Sequence, residues 1–160
     1  MKEEKRFTHR QLEYIGAKWL SKCGYWWSCK RIAIEPASPG SERPDVIGFA
    51  YGNTHVIECK TSRADFLRDF RKPWRVAGDK PMGACRWWLC EEGLITWDDL
   101  EGCGDGLLWI TAGGDIKVIR YPVQRDDKER NLSGELCVLY TLLGKEAELP
   151  VTIYRSNDGE

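Results

Sequence analysis

Asp45, preceded by Pro44, and Glu58 and Lys60, separated by Cys59, are the residues of this chain best suited to carry chemistry. Two carboxylates and one ammonium group are the side-chain set of a divalent-metal phosphodiesterase. A hard cation such as Mg²⁺ is held by one or two carboxylates and keeps waters and phosphate oxygens as its other ligands. It activates a bound water and neutralises charge on the leaving oxygen. A neighbouring lysine can orient or deprotonate that water, or stabilise the transition state. The backbone carbonyl of Cys59 is a further hard oxygen between Glu58 and Lys60, whereas its thiol points the other way along a strand.

These residues must be brought together by the elements around them. Val46–Tyr51 and Thr54–Cys59 are rich in β-branched and aromatic residues, and Gly52-Asn53 lies between them. That pattern predicts a hairpin, because glycine and asparagine tolerate positive φ. With Gly52-Asn53 as the loop, Tyr51 faces Thr54, Phe49 faces Val56, Ile47 faces Glu58 and Asp45 faces Lys60. Opposed residues share a face at roughly 5 Å between Cβ atoms, so Asp45, Glu58 and Lys60 gather on one face at one end. A loop one residue longer would put the pairing out of phase. Two carboxylates among apolar strand residues also need a partner, either a metal or Lys60.

Other elements follow from capping and periodicity. Thr8 and Gln11 form a capping box ahead of Leu12, Ile15, Trp19 and Leu20, with Gly24 as the stop of that helix. Trp26–Glu35 reads as the first strand, and the loop PASPGSERP delivers the chain to Asp45. Ser62 and Asp65 cap a second helix that ends before Pro73; its N-terminus favours phosphate nearby. Arg86–Glu91 reads as a buried strand beside the hairpin. Leu107–Ala112 and Asp115–Tyr121 form another hairpin across Gly113-Gly114, and Leu132–Leu143 is a helix.

With 160 residues, 42% hydrophobic and 31% charged, the chain is expected to form a single globular domain. No apolar run spans a bilayer and MKEEKR is not a signal peptide, so a cytoplasmic protein without membrane partners is expected. Seven cysteines without a C-x-x-C pair, and two histidines, argue for reduced thiols rather than zinc. His9 and His55 read as structural.

The net charge of −1 is unevenly distributed. Residues 1–31 and 60–86 each carry eight basic against three acidic side chains, while 87–119 carry one against seven. Arg63, Arg68, Arg71, Lys72 and Arg75 follow Lys60 and are candidates for backbone phosphate contacts, or form a solvated basic helix face. Trp74, between Pro73 and Arg75, is the candidate to stack on a base. Trp19 and at least one of Trp87 and Trp88 read as core.

Pro44, Asp45, Glu58 and Lys60, within SERPDVIGFAYGNTHVIECKTSRADFLRDFRKP, resemble the PD-(D/E)XK nuclease superfamily, and in particular MmcB-type DNA-repair proteins of bacteria and phages. The resemblance covers about residues 8–122, leaving 123–160 as a C-terminal extension. It implies an α/β, restriction-endonuclease-like fold, with a mixed sheet flanked by helices in the order αβββαβ. It also implies Mg²⁺ or Mn²⁺ bound by Asp45, Glu58 and the Cys59 carbonyl, Lys60 as catalytic lysine, DNA as substrate, and a possible homodimer. Some relatives use a further acid, for which Glu35, Glu42 and Glu13 are the candidates. Ser62 and Arg63 are placed to touch the scissile phosphate, Ser62 doubling as an N-cap. Two other functions fit the same residues. One is a nucleic-acid-binding repair accessory protein that turns over poorly. The other is an interaction module with an exposed tryptophan patch and Asp45, Glu58 and Lys60 as a salt bridge.

Overall fold

The first helix starts where its capping box places it. In the computed structural model, which describes residues 6–22 and 28–146, α1 runs His9–Leu20. The Thr8 side chain accepts from the Gln11 amide, and the Gln11 side chain accepts from the Thr8 amide. The expected stop at Gly24, and the start of the first strand at Trp26, lie outside the described residues. The described strand is β1, Arg31–Ile34. Then follow β2 Val46–Ala50, β3 Asn53–Lys60, α2 Arg63–Asp69, α3 Pro73–Val76, β4 Cys85–Glu91, β5 Gly106–Ile110, β6 Ile116–Arg120 and α4 Leu132–Glu146.

The strands form one six-stranded sheet in sequence order. The β1–β2, β2–β3 and β5–β6 pairs are antiparallel, whereas β3–β4 and β4–β5 are parallel. Parallel pairing demands a crossover, and α2 with α3 supplies the one between β3 and β4. The fold is therefore α/β, with a mixed sheet flanked by helices. α1 lies across β1 to β4 on one face, burying Leu12 and Leu20 against Val46, Ile57, Cys59, Trp87 and Leu89. On the other face Ile47 and Val56 pack with Met82 and with Val138 of α4. Phe66 of α2 packs there with Trp88, Ile95 and Leu100. Both Trp87 and Trp88 are core, each 1% exposed.

The hairpin turn falls one residue earlier than Gly52-Asn53. Ala50 pairs with Asn53, so Tyr51-Gly52 is the loop, with Gly52 at a φ of 68° that favours glycine. The resulting register pairs Phe49 with Thr54 and Ile47 with Val56. The pairing is displaced by two positions from the expected one, an even number that keeps the side chains within β2 and β3 on their expected faces. Continuing that register sets Asp45 opposite Glu58 and Pro44 opposite Cys59. Gly106 marks a close approach at the other end of the sheet. A Cβ there would lie 2.5 Å from Trp87 Cε3 and 2.9 Å from the Arg120 carbonyl.

Candidate functional site

Pro44 has a specific consequence at the end of β3. In an antiparallel ladder, a residue's N–H and C=O leave the strand on the same side. Val46, Gly48 and Ala50 pair with Ile57, His55 and Asn53, so Cys59 also turns its backbone toward the β2 side. Proline there has no N–H to offer the Cys59 carbonyl. The Cys59 N–H is taken by Asp45, whose Oδ2 accepts it at 2.7 Å. The Asp45 carboxylate is thus pinned in the sheet plane beside a carbonyl to which the ladder brings no donor. Burial pushes the Cys59 thiol well above its ordinary range, so it stays protonated and takes no part.

Asp45 turns its other oxygen toward α1. Its Oδ1 lies 3.4 Å from His9 Nε2, which is 3.2 Å from Glu13 Oε1. His9, read from sequence as structural, is therefore a partner of Asp45. The hydrogen bond to Asp45 is the largest influence on His9 and, against burial, raises it to about 9. Glu13 is 2% exposed. Burial pushes its carboxyl up, His9 opposes, and the nearby Glu35 and Asp45 charges add to the rise. Glu35, one of the three candidate further acids, thus lies near Glu13. It holds a φ of 46°, uncommon for a non-glycine residue, and its amide donates to the Asp45 carbonyl at 2.8 Å. Backbone strain of this kind persists where surrounding structure imposes it, commonly at functional sites.

Glu58 and Lys60 project to the opposite face, and neither is left alone. Glu58 Oε1 accepts from Arg86 Nη2 at 3.2 Å, and Oε2 lies 3.5 Å from Lys72 Nζ. Burial and the Asp45 charge push Glu58 up to about 7, against the pull of Arg86 and Lys72. Lys60 Nζ donates to Asp69 Oδ1 at 2.9 Å and sits 5.6 Å from the Trp88 ring centre. Asp69 is fully buried and is also bound by Lys72 and Arg75. Burial alone would raise its carboxyl, but hydrogen bonds from Lys72 and Lys60 bring it down to about 2. The triad expected on one face is therefore split. Glu58 and Lys60 share the face of α2 and α3, while the Asp45 carboxylate faces α1. Among the described residues, the group of donors close enough to share an ion is His9, Glu13 and Asp45, all within 4.8 Å.

Several expected contributors are placed elsewhere. Glu42 is buried and accepts from Arg86 Nη1 and from the Met82 amide, so it neutralises Arg86 rather than approaching Asp45. Trp74 is 4% exposed, with the Arg75 and Arg86 guanidinium carbons 4.5 and 5.4 Å from its ring centre. It offers no free face to a base: Pro73 starts α3 and folds the ring inward rather than ending the structure there. Arg75 is committed to Asp69, and Lys72 to Asp69 and Glu58. Arg63 makes a two-pronged ion pair with Asp99 and donates to the Leu94 carbonyl, tying α2 to the segment after β4. Ser62 caps α2 by accepting from the Asp65 amide at 3.2 Å. Arg68 and Arg71 remain exposed. Helix α2 has only seven residues, so its dipole is a lesser attraction for phosphate than the sequence suggested.

Sequence reasoning passed over Arg86, Asp69 and His9. For His9 a signal exists: His9 and Glu13 are four apart on a helix whose start the capping box fixes, so they share a face. Arg86 carries no such signal, because its carboxylate partners come from distant elements, whereas Asp69 has Lys72 three residues on and Arg75 six residues on.

No protein-family model matches the chain, and no curated protein matches it. Among solved structures, a protein of unknown function from Silicibacter pomeroyi is similar in fold, with a TM-score of 0.62 at 20% identity over 91% of this chain and 88% of that one. Similarity at that level of identity speaks to the α/β fold alone.

Proposed function

We propose that the chain is a metal-dependent nuclease of the restriction-endonuclease-like type that hydrolyses DNA phosphodiesters. One observation carries this reading. Asp45 and the Cys59 backbone meet at the end of β3, where Pro44 supplies no ladder donor, and Glu58 and Lys60 leave the same stretch of strand. The element order α1-β1-β2-β3-α2-α3-β4 agrees with it, with two short helices in the crossover. The donor set suits a divalent cation: the Asp45 carboxylate, the Cys59 carbonyl and the buried Glu13, with Glu58 on the other side of the strand. Such an ion, Mg²⁺ or Mn²⁺, would polarise the phosphoryl group and acidify a water. Lys60, held in one rotamer by Asp69, would present a fixed positive charge to the phosphate. Arg68 and Arg71 are exposed on the crossover and would contact the DNA backbone. The reading places this work in DNA repair, recombination or phage DNA metabolism, in the cytoplasm. Among the described residues no helix is long and apolar enough to cross a membrane.

A second reading, a repair accessory protein that binds nucleic acid but turns over poorly, is favoured by the ion pairs of Glu58 and Lys60. Both groups already have partners of opposite charge. The interaction-module reading rests on less, since among the described tryptophans only Trp97 is exposed, under the Arg120 guanidinium.

A cleavage assay on single-stranded, duplex and branched DNA with Mg²⁺, Mn²⁺ or EDTA separates these. We expect metal-dependent cutting that falls at least about a hundredfold in Lys60→Ala and Asp45→Asn. Lys60→Ala should fold, because Asp69 keeps Lys72 and Arg75. Intact DNA in every sample, with binding retained, would select the accessory protein. Cutting that survives both substitutions would place the chemistry elsewhere.

A further inference from the structure

We propose that His9 and Glu13 are direct ligands, with Asp45, of a first-row transition-metal ion, in a mixed nitrogen–oxygen site between α1 and the end of β3. This deepens the nuclease reading and shares Asp45 with it. The ligand atoms are already gathered: His9 Nε2 is 3.2 Å from Glu13 Oε1 and 3.4 Å from Asp45 Oδ1. The three side chains grade from solvent inward, 39% exposed at His9, 16% at Asp45 and 3% at Glu13. An ion can therefore enter past His9 and rest on Glu13.

The second observation is Glu13 itself. Its Oε1 is buried with no hydrogen bond of acceptable geometry. A buried carboxylate oxygen without a hydrogen bond is expensive, and this one has only the ionic contact with His9, so it points into the group formed with His9 and Asp45. Glu35 adds a further negative charge nearby. One histidine thus faces three acids, an excess of negative charge that a divalent cation removes. Asp45 is held from behind by the Cys59 amide, and Glu13 by the capped helix, so the ligands are preoriented before an ion arrives.

An imidazole ligand decides which ion. Oxygen-only sites suit Mg²⁺ and Ca²⁺, whereas a histidine nitrogen favours Mn²⁺ and, more tightly, Co²⁺, Ni²⁺ or Zn²⁺. The site should prefer these over Mg²⁺.

The test is a Co²⁺ titration of the metal-stripped full-length chain, followed by visible d–d absorption and by Mn²⁺ relaxation of water protons, with Mg²⁺ as competitor. We expect one strong Co²⁺ site that excess Mg²⁺ displaces poorly. Affinity should fall at least about tenfold in His9→Ala and in Glu13→Gln, and stay unchanged in the exposed control Lys117→Ala on β6. His9 is partly exposed, so His9→Ala should fold, and thermal unfolding of each variant checks this. Co²⁺ binding within twofold of the parent in both variants, or no Co²⁺ site in the parent, would overturn the inference. The two readings fail separately. Co²⁺ bound through His9 without DNA cleavage leaves this site and removes the nuclease. Metal-dependent cleavage with unaltered Co²⁺ binding in His9→Ala does the reverse.

Discussion

Replacing Arg86 by leucine should destabilise the fold by about 3–5 kcal/mol, the usual cost of breaking a buried ion pair from one side. Arg86 is 1% exposed and joins Glu42, at 4%, to Glu58, at 2%. Its Nη1 donates to Glu42 and to the Met82 carbonyl, and its Nη2 to Glu58. Leucine would fill much of the volume but leave two buried carboxylates facing each other's field. Of these two carboxylates Lys72 reaches Glu58 alone, at 3.5 Å, and the Met82 amide would be what remains on Glu42. Urea unfolding at neutral pH measures the loss. Adding Glu42→Gln to Arg86→Leu should recover part of it, because one uncompensated charge is gone. A loss below about 1 kcal/mol, the value typical of exposed pairs, would show that water reaches this network and that it does not fix Glu58. The same substitution should push Glu58 further up, since Arg86 is the first of the charges that hold it down.

Acid should weaken the fold through His55, by about 3 kcal/mol between pH 7 and pH 4. His55 is 1% exposed and its Nδ1 accepts from Trp87 Nε1 at 3.1 Å. A proton on Nδ1 would face that N–H, and burial has already lowered the imidazole to about 4. The unfolded chain binds a proton near pH 6.5, the folded one only near 4. Stability from neutral His55 is therefore complete above 6.5 and disappears as pH falls toward 4. Glu58 acts in the opposite sense. Its folded value near 7 lies above that of the free carboxyl, so its burden on the fold is relieved as pH falls from 7 toward 4.5. The clean observable is the difference between the parent and His55→Gln. Glutamine cannot titrate and can still accept from Trp87, so the parent should lose ground to the variant as pH drops. Parallel stability curves for the two proteins from pH 7 to 4 would refute the assignment.

Most of the scaffold was legible because its signals are local. The box of Thr8 and Gln11 sets the start of α1, since both partners lie within one turn. The β2–β3 hairpin was legible for the same reason, and its turn was misplaced by one residue without harm. Moving the loop from Gly52-Asn53 to Tyr51-Gly52 shifts the pairing by two, and strand faces repeat every two residues. The second hairpin is likewise where Gly113-Gly114 predicts it, with β5 and β6 ending nearer Ile110 and Ile116.

The site was legible as a set of residues but not as an arrangement. Spacing alone put Asp45, Glu58 and Lys60 at one end of one hairpin. It could not show that Asp45 ends its strand and bends into the sheet plane, because that depends on the Cys59 amide and on α1 packing above it. Nor could it show which cations answer Glu58. Arg86 reaches it from β4 and Lys72 from the α2–α3 link, and Glu42 comes to Arg86 from 44 residues away. Trp74 was misread for the same reason: beside a run of basic residues it looked like a surface ring, and only the crossover's path turns it under Arg75 and Arg86. The sequence by itself determined the elements, the faces of the strands and the residue types that could bind a metal. These depend on hydrogen bonds and periodicities spanning a few residues. Tertiary structure alone decided which charge meets which, because Coulomb and desolvation energies depend on distance and burial through space, and chain separation carries almost no information about either.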